Sequence, residues 1–574
     1  MFLESLQVQN YRGIRSGRID FDDTTLLIGE NDCGKSSLLS ALAVVLAASD
    51  GRRPTIARRH FHRPVDPSQP LQGPVRIELV FAERPAGEWT TDAMAPLAPL
   101  LAPPSAGVRR LVVTVHAEVP KGKGEPETHW TIACPDSGRP VSDDDVDHLA
   151  VVRKLCPLVW LKAGMLIGAT DVAVGGNDDA AVGGRLAALA DEVETHYQSL
   201  LAGTSANELA ELKAGYEAAR ELLRQRAEEY QAAGSLSHGA IAEVLGPRGV
   251  GKATSLPFHG SAAQQIGVLI VTGAIIRHGL AKWAPGSSPL LVVEDPEAHL
   301  HLMTLASVWG LLKHARAQKV IGTQSETLLA AAPLASIRRI TRTGGRMRQW
   351  RVRSGSLSAD ELRKLGYHVR ARHGEAMFSR CWLLVEGETE FWMLPELARL
   401  CGYDLKLEGV TPVEFAQCGL PPLIKLASEL GIEWHVLTDG DNTGRDYADE
   451  ARHFAAGEED RRLTRLRERD VEHCFWRHGY AAVYERAAGM HAPPGGKVRA
   501  GRVIRHAIKR HSKPWLAFEV LAAAAGDPSP GVPAPLRRTI ETCVQLAREG
   551  LVRAEERRAH PPKPHRHKGG GRRR

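Results

Sequence analysis

The sequence has no run of about 18 consecutive apolar residues, the least that spans a bilayer as a helix, so no membrane span is expected. Its first ten residues lack a basic segment followed by an apolar one, so no secretory leader is expected either. None of its eight cysteines forms a CxxC pair, which argues against zinc ribbons and a disulfide framework. No internal repeat is visible. What remains is a chain of 574 residues, 43% hydrophobic and 25% charged. Those values sit near the ordinary globular range, and the length allows several domains with sizeable cores. A cytoplasmic multidomain protein is the expectation.

The formal charge of +7 hints at nucleic acid, but it is unevenly placed. Residues 557–574 hold eight Lys or Arg and no acid, which leaves the rest of the chain at a formal −1. Residues 557–574 hold no large apolar residue either, and 551–574 read as a basic disordered tail, a phosphate-seeking arm whose contribution should fade with salt.

Strand patterns occur at residues 2–8, 24–28, 75–81, 111–119, 290–293, 319–322, 382–385 and 435–438, with a helical pattern at 38–47. Strands alternating with helical stretches indicate α/β domains with largely parallel sheets. Residues 186–233 are rich in Ala, Leu, Glu, Arg and Gln and contain no proline. They suit two helices of about 20 residues, either a peripheral insertion or a dimerisation arm.

Gly29-Glu30-Asn31-Asp32-Cys33-Gly34-Lys35-Ser36 matches G-x-x-x-x-G-K-[ST] between a strand and a helix. In that context backbone N–H groups and a helix N-terminus cradle phosphates. Lys35 would reach the β- and γ-phosphates of ATP, and the Ser36 hydroxyl would hold Mg²⁺. The partner such a loop needs is an apolar strand ending in acids, and Leu290-Leu291-Val292-Val293-Glu294-Asp295 supplies it. Glu294 would bind the magnesium shell and Asp295 would orient or deprotonate the attacking water. His299 and His301 lack a carboxylate at HExxH spacing and read as part of the loop after these acids.

A second acidic set lies further on. Trp382-Leu383-Leu384-Val385 ends in Glu386, and Trp434-His435-Val436-Leu437-Thr438 ends in Asp439-Gly440-Asp441. Two parallel strands ending this way would bring Glu386, Asp439 and Asp441 to one sheet edge. Carboxylates packed closely repel unless a divalent cation neutralises them, and Mg²⁺ or Mn²⁺ suits such oxygen ligands.

These motifs, with Asn10-Tyr11-Arg12-Gly13-Ile14 and the run from Glu294 to His301, resemble the OLD (overcoming lysogenization defect) family of ATP-dependent endonucleases. The resemblance covers most of residues 1 to about 525 and implies an α/β chain: an ABC/SMC-like P-loop ATPase with a helical insertion, then a Toprim domain. The implied boundaries are 1–165 and 241–370 for the two ATPase parts, 166–240 for the insertion and 371–550 for the Toprim nuclease domain. By resemblance, Arg12, Gly29, Asn31, Gly34, Ser37 and Gln324 join the nucleotide site, and Ser261 faces the γ-phosphate across a dimer. Gln324 stands where a switch histidine is usual, so slow ATP turnover is expected. In the Toprim part the resemblance gives Glu386, Glu390, Asp439, Asp441 and Glu472 to a two-metal site, with Lys513 as catalytic lysine.

The function implied is metal-dependent cleavage or nicking of duplex DNA, regulated by the ATPase module. The expected partners are DNA, a second copy in a homodimer or higher homo-oligomer, and a further protein in some settings. Phage defence and DNA repair both fit. The alternative is a SMC/RecF-like DNA-binding ATPase clamp without nuclease activity. A primase or topoisomerase is a third reading; a topoisomerase needs a tyrosine nucleophile, and Tyr480 and Tyr484 lie near the acids in sequence.

Overall fold

In the computed structural model, residues 1–47, 54–63, 73–101, 107–120, 124–135, 141–142, 148–162, 165–167, 287–297, 309, 317–372, 374–490 and 499–556 are described. The chain divides into two units, Met1–Arg351 and Val352–Arg574.

Alternating burial in the first unit builds β1 (Phe2–Tyr11), which turns through Arg12 and Gly13 into β2 (Ile14–Asp20). Next come β3 (Thr24–Ile28), α1 (Lys35–Leu46), β4 (Val75–Ala82), β5 (Arg110–Glu118), β6 (Glu127–Ala133) and β7 (Val141–Ser142). Then follow α2 (His148–Leu155), β8 (Leu158–Lys162), β9 (Met165–Ile167), β10 (Leu290–Glu294), β11 (Gln318–Gly322), α3 (Glu326–Ala331), β12 (Ile337–Thr343) and β13 (Arg346–Trp350). They form one sheet in the order β7-β6-β5-β4-β1-β2-β13-β12-β3-β11-β10-β8-β9.

The stretch β12-β3-β11-β10-β8 is parallel, as is the short contact of β13 with β2 through Arg346 and Ser16, and β7 through β2 is an antiparallel run. The expectation of largely parallel sheets therefore fails for this half. A two-residue turn at Arg12 and Gly13 is too short for the crossover that a parallel pair requires. The parallel strands are the ones that read as continuous apolar runs; every residue of β10 and β11 is buried. Helix α1 packs through Leu38, Leu42 and Val45 and touches β1 as well as β8 and β10. Strands that distant in the sheet meet one helix only if the sheet curls around it.

The second unit begins with α4 (Ala359–Arg372), β14 (Cys381–Val385), α5 (Glu388–Leu400), β15 (Val410–Glu414), α6 (Leu420–Glu429) and β16 (Glu433–Thr438). It continues with α7 (Asn442–Ala455), β17 (Leu463–Arg465), α8 (Val471–Phe475), α9 (Ala481–Ala488), α10 (Ala500–Arg510), α11 (Lys513–Ala525) and α12 (Ala534–Glu556). The four strands are all parallel, in the order β15-β14-β16-β17. The chain leaves β14 for β15 on one side and then crosses to β16 on the other. Right-handed crossovers in opposite directions put α5 and α6 on opposite faces of the sheet. Both faces are thus covered, which is why β14 is buried at every residue. The reversal creates a switch point at the carboxyl ends of β14 and β16.

Among the described residues no helix is long and apolar enough to cross a membrane. Apart from Leu166 and Ile167, which end β9, the expected helical insertion lies outside the described residues, as do Ser261, His299, His301 and the tail from 557 onward.

Candidate functional sites

The first site stands at the carboxyl ends of β3, β11 and β10, which are neighbours in that order. After β3 the chain enters a loop with Gly29 at φ 152°, Asp32 at φ 63° and Gly34 at φ 106°. A Cβ on Gly29 would stand 2.4 Å from the Ile340 carbonyl oxygen, so the loop approaches β12 as only glycine allows. Lys35 is buried, its Nζ donating to the carbonyls of Gly29 (2.7 Å) and Glu30 (3.1 Å). Ser36 is exposed at the start of α1 and Ser37 is half-buried. The fold thus brings the loop, the lysine and the helix N-terminus together in an anion-binding arrangement.

Glu294, buried, closes β10, and Asp295 follows at φ 48° with its N–H donating to the Gly322 carbonyl (2.9 Å). A non-glycine residue held in the left-handed region is the sort of backbone strain that collects at functional sites. Beyond β11 the exposed Gln324 donates from Nε2 to Asn31 Oδ1, so the β11 residue and the phosphate loop touch. Glu297, quoted in the motif without a role, ties the two acid-bearing turns: it accepts from the Thr323 hydroxyl (2.8 Å) and from the Gln324 N–H. Arg12, also left-handed at φ 49°, is pinned by backbone bonds. Its N–H donates to the His60 carbonyl (2.7 Å) and its own carbonyl accepts from His62 Nδ1 (2.8 Å).

The second site stands at the switch point of the parallel sheet. Leu384 pairs with Val436, so Glu386 is level with Thr438, one residue before Asp439. Gly387 and Gly440 turn the two strand ends. The Gly440 N–H donates to the Glu468 carbonyl (3.0 Å), and a Cβ there would stand 2.2 Å from that same oxygen. Asp441 caps α7 by accepting from the Gly444 N–H (2.8 Å), and Asp470 caps α8 by accepting from the His473 N–H (2.9 Å). The second cap sets Glu472, buried, one residue into α8. Ser512 caps α11, and Lys513 in its first turn reaches Glu472 Oε1 with Nζ at 3.0 Å.

The electrostatics record the crowding. Burial, then the charges of Glu390, Glu386, Asp470 and Glu472, push the Asp439 carboxyl up to about 8. Burial, with Glu472 and Glu386 behind it, takes Glu390 up to about 7. Glu386 is raised by burial and then by Asp441, and its Oε2 is buried without a hydrogen-bond partner among the described residues. Burial pulls Lys513 down, but Glu472 leads the acids that outweigh it, and its pKa is raised. Like charges this close, with an orphaned carboxylate oxygen among them, fit a hard divalent cation. Among the described residues no three His, Cys, Asp or Glu side chains are already closed into a coordination cage. The acids share one neighbourhood without being preassembled.

Asp470 and Glu468 were missed as members of this neighbourhood. Asp470 had a signal in its D-x-x-H capping spacing; Glu468 had none, since it acts through a main-chain oxygen. Tyr480 and Tyr484 are each 1% exposed, and the Tyr480 hydroxyl donates to the Gly531 carbonyl (3.0 Å). Both are core residues, with no hydroxyl presented to a backbone phosphate.

A family model described as a protein of unknown function (DUF2813) matches residues 1–376, and a second, described as the TOPRIM domain of overcoming lysogenization defect protein-like proteins, matches 377–441. The chain belongs to the DUF2813 family and carries an OLD-like Toprim domain. This bears out the resemblance drawn from the motifs. The Toprim match ends at Asp441, the last acid of the β16 turn, so it spans the strand ends where Glu386 and Asp439 stand.

Among relatives of this DUF2813 chain, the uncharacterized protein YbjD of Escherichia coli (strain K12) is 31% identical over 570 residues, 96% of this chain and 99% of YbjD. The Septu protein PtuA of Bacillus mycoides (strain KBAB4) is 33% identical over 67 residues, 10% of this chain and 9% of PtuA. Of solved structures, the SMC head domain from Thermotoga maritima is 16% identical, covers 62% of this chain and 100% of its own, and has a TM-score of 0.31. The C-terminal region of the Xanthomonas campestris pv. campestris OLD protein is 18% identical, covers 32% of this chain and 100% of its own, with a TM-score of 0.24.

Proposed function

We propose that this protein is a metal-dependent DNA endonuclease whose Toprim domain, residues 371–550, is regulated by an ABC-type ATPase module in residues 1–165 and 241–370. The observation that carries the reading is the meeting of Glu386, Glu390, Asp439, Glu472 and Lys513 at the switch point of the second unit's parallel sheet. Glu386, Glu390, Asp439, Asp441 and Glu472 would hold Mg²⁺ or Mn²⁺. When bound, such ions supply Lewis-acid stabilisation to the attacking and leaving oxygens of a phosphodiester displacement.

The chain's own residues do the rest. Lys513, already held at Glu472, places a cation where negative charge develops on the transition-state phosphoryl. In the ATPase module, Gly29, Gly34 and Lys35 would bind the phosphates of ATP, Ser36 and Glu294 would hold its Mg²⁺, and Asp295 would orient water. Gln324 touches Asn31, so it is positioned to sense the loop, but an amide carries no proton and turnover is slow. Arg12, Ser37 and, from a second copy, Ser261 complete the proposed nucleotide site. The basic tail then serves as a phosphate-binding arm. Phage defence and DNA repair both suit a regulated nuclease with an OLD-like Toprim domain.

The test is a supercoiled-plasmid assay with Mn²⁺ or Mg²⁺, with and without ATP, on the wild type and on Glu386→Ala. Nicking by the wild type and none by the variant, with ATP binding retained in both, is the expected result. A purified protein that binds ATP and DNA but never nicks would favour the clamp instead.

A further inference from the structure

Helix α10 leads straight into the proposed active site, ending two residues before Ser512 and Lys513. Its sequence contains no acid. Arg502, Arg505 and Lys509, at positions i, i+3 and i+7, share one exposed face, while Val503, Ile504 and Ala507 are buried on the other. None of the three cations forms an ion pair among the described residues. The stripe runs about 10 Å along the helix, enough for successive phosphates of one strand.

Immediately beyond it, α11 turns two aromatic rings outward. Trp515 is 39% exposed and lies flat on His511, ring centroids 4.0 Å apart and 18° from parallel. Phe518, one turn on, is 64% exposed. Lys513 reaches Glu472 from the first turn of the same helix. Two exposed rings one turn apart, following a helix face whose three cations have no ion pair among the described residues, offer stacking and phosphate contacts to one ligand.

A basic stripe alone fits any nucleic acid, because phosphates are common to all. The rings discriminate. In a closed duplex each base face is covered by its neighbours, whereas an unpaired base offers a free π-face to an aromatic side chain. An acidic protein partner would satisfy the cations but not use flat, stacked rings.

We propose that α10 and the start of α11 form a platform for unpaired DNA, with Arg502, Arg505 and Lys509 tracking the phosphates and Trp515 and Phe518 stacking on bases. The platform steers a single-stranded segment, a flap or a melted region, toward the acids at Asp439. It deepens the nuclease reading, on which its purpose rests, by naming the substrate class as DNA with an unpaired stretch.

The experiment measures binding of a fluorescein-labelled mixed-sequence single strand and of the matching blunt duplex by anisotropy, on the full chain in EDTA, over a range of salt. The single strand should bind more tightly than the duplex. Trp515→Ala combined with Phe518→Ala should weaken single-strand binding about tenfold or more and leave duplex binding unchanged. Trp515→Phe should retain most of the affinity. Replacing Arg502, Arg505 and Lys509 by alanine should reduce the salt slope by about 2, at roughly 0.7 per phosphate contact on single strands. Equal or tighter duplex binding, or wild-type single-strand affinity in the aromatic variant, overturns the proposal. Plasmid nicking is run beside it. Single-strand binding without nicking sinks the nuclease reading alone; nicking without the single-strand preference sinks the platform alone.

Discussion

Gly444, in the first turn of α7, should be indispensable for the arrangement at Asp439. A Cβ built there would stand 2.2 Å from the Asp439 carbonyl oxygen, 2.7 Å from its carbonyl carbon and 3.0 Å from its Cα. Ordinary contact begins near 3.4 Å, so Gly444→Ala demands a separation of about 1 Å between α7 and the end of β16. All three atoms are backbone, so no side chain can swing aside. The β16 end is also held from the other side, where the Gly440 N–H donates to the Glu468 carbonyl. A displacement of about 1 Å at a catalytic group costs on the order of 100-fold in rate. The strain should cost roughly 1–3 kcal/mol of stability, partly offset by alanine's better helix propensity of about 1 kcal/mol. The assay is the Mn²⁺-dependent nicking rate, with thermal unfolding and ATP binding measured alongside. Gly366→Ala is the control: it lies within α4, no heavy atom stands within 4 Å of its would-be Cβ, and it should gain about 1 kcal/mol without changing nicking. A Gly444→Ala protein that nicks at the wild-type rate would refute the reasoning.

Glu83 and Arg109 form a buried ion pair at 2.6 Å, and Glu83 also accepts from the N–H groups of Arg109 and Trp89. Burial alone would raise the Glu83 carboxyl, but the Arg109 hydrogen bonds and charge outweigh it and hold it down at about 2. A lowered pKa adds stability that is present above the ordinary carboxylate value and is lost as pH falls toward 2. The difference is worth about 3 kcal/mol at neutral pH and about 1 at pH 3. Chemical denaturation should therefore show Glu83→Gln well below wild type at pH 7, with the gap narrowing by about 2 kcal/mol at pH 3. Lys35→Ala removes the cation that spans the Gly29 and Glu30 carbonyls. It should weaken binding of a fluorescent ATP analogue at least tenfold while leaving Mn²⁺ binding by the second unit intact.

Much of this was legible in the sequence where chemistry and periodicity agree. The strand that leads into the loop from Gly29 to Ser36 and the strands leading to Glu294, Glu386 and Asp439 are short apolar runs followed by functional residues, and each is a parallel strand in the structure. The antiparallel half of the first sheet was harder, because its order depends on β1 pairing with β4, which lies beyond β2, β3 and α1 in sequence. Glu297 was visible as a residue but not as a tie, since its role is to accept from Thr323 and Gln324, which arrive from another strand. The close approach at Gly440 and Gly444 was equally hidden, because a glycine's reason is whatever its absent Cβ would strike. The aromatic rings of α11 read in sequence as ordinary hydrophobic residues; only their exposure marks them out.

The most direct test of the central claim is the nicking rate of Asp439→Asn against wild type on supercoiled plasmid in Mn²⁺, with ATP binding measured on the same samples. The substitution keeps the shape of the β16 turn and removes the carboxylate on which the charges of Glu386, Glu390, Asp470 and Glu472 converge. The account predicts that the wild type nicks, that the variant does not, and that both bind ATP equally. Nicking by the variant at the wild-type rate would contradict it.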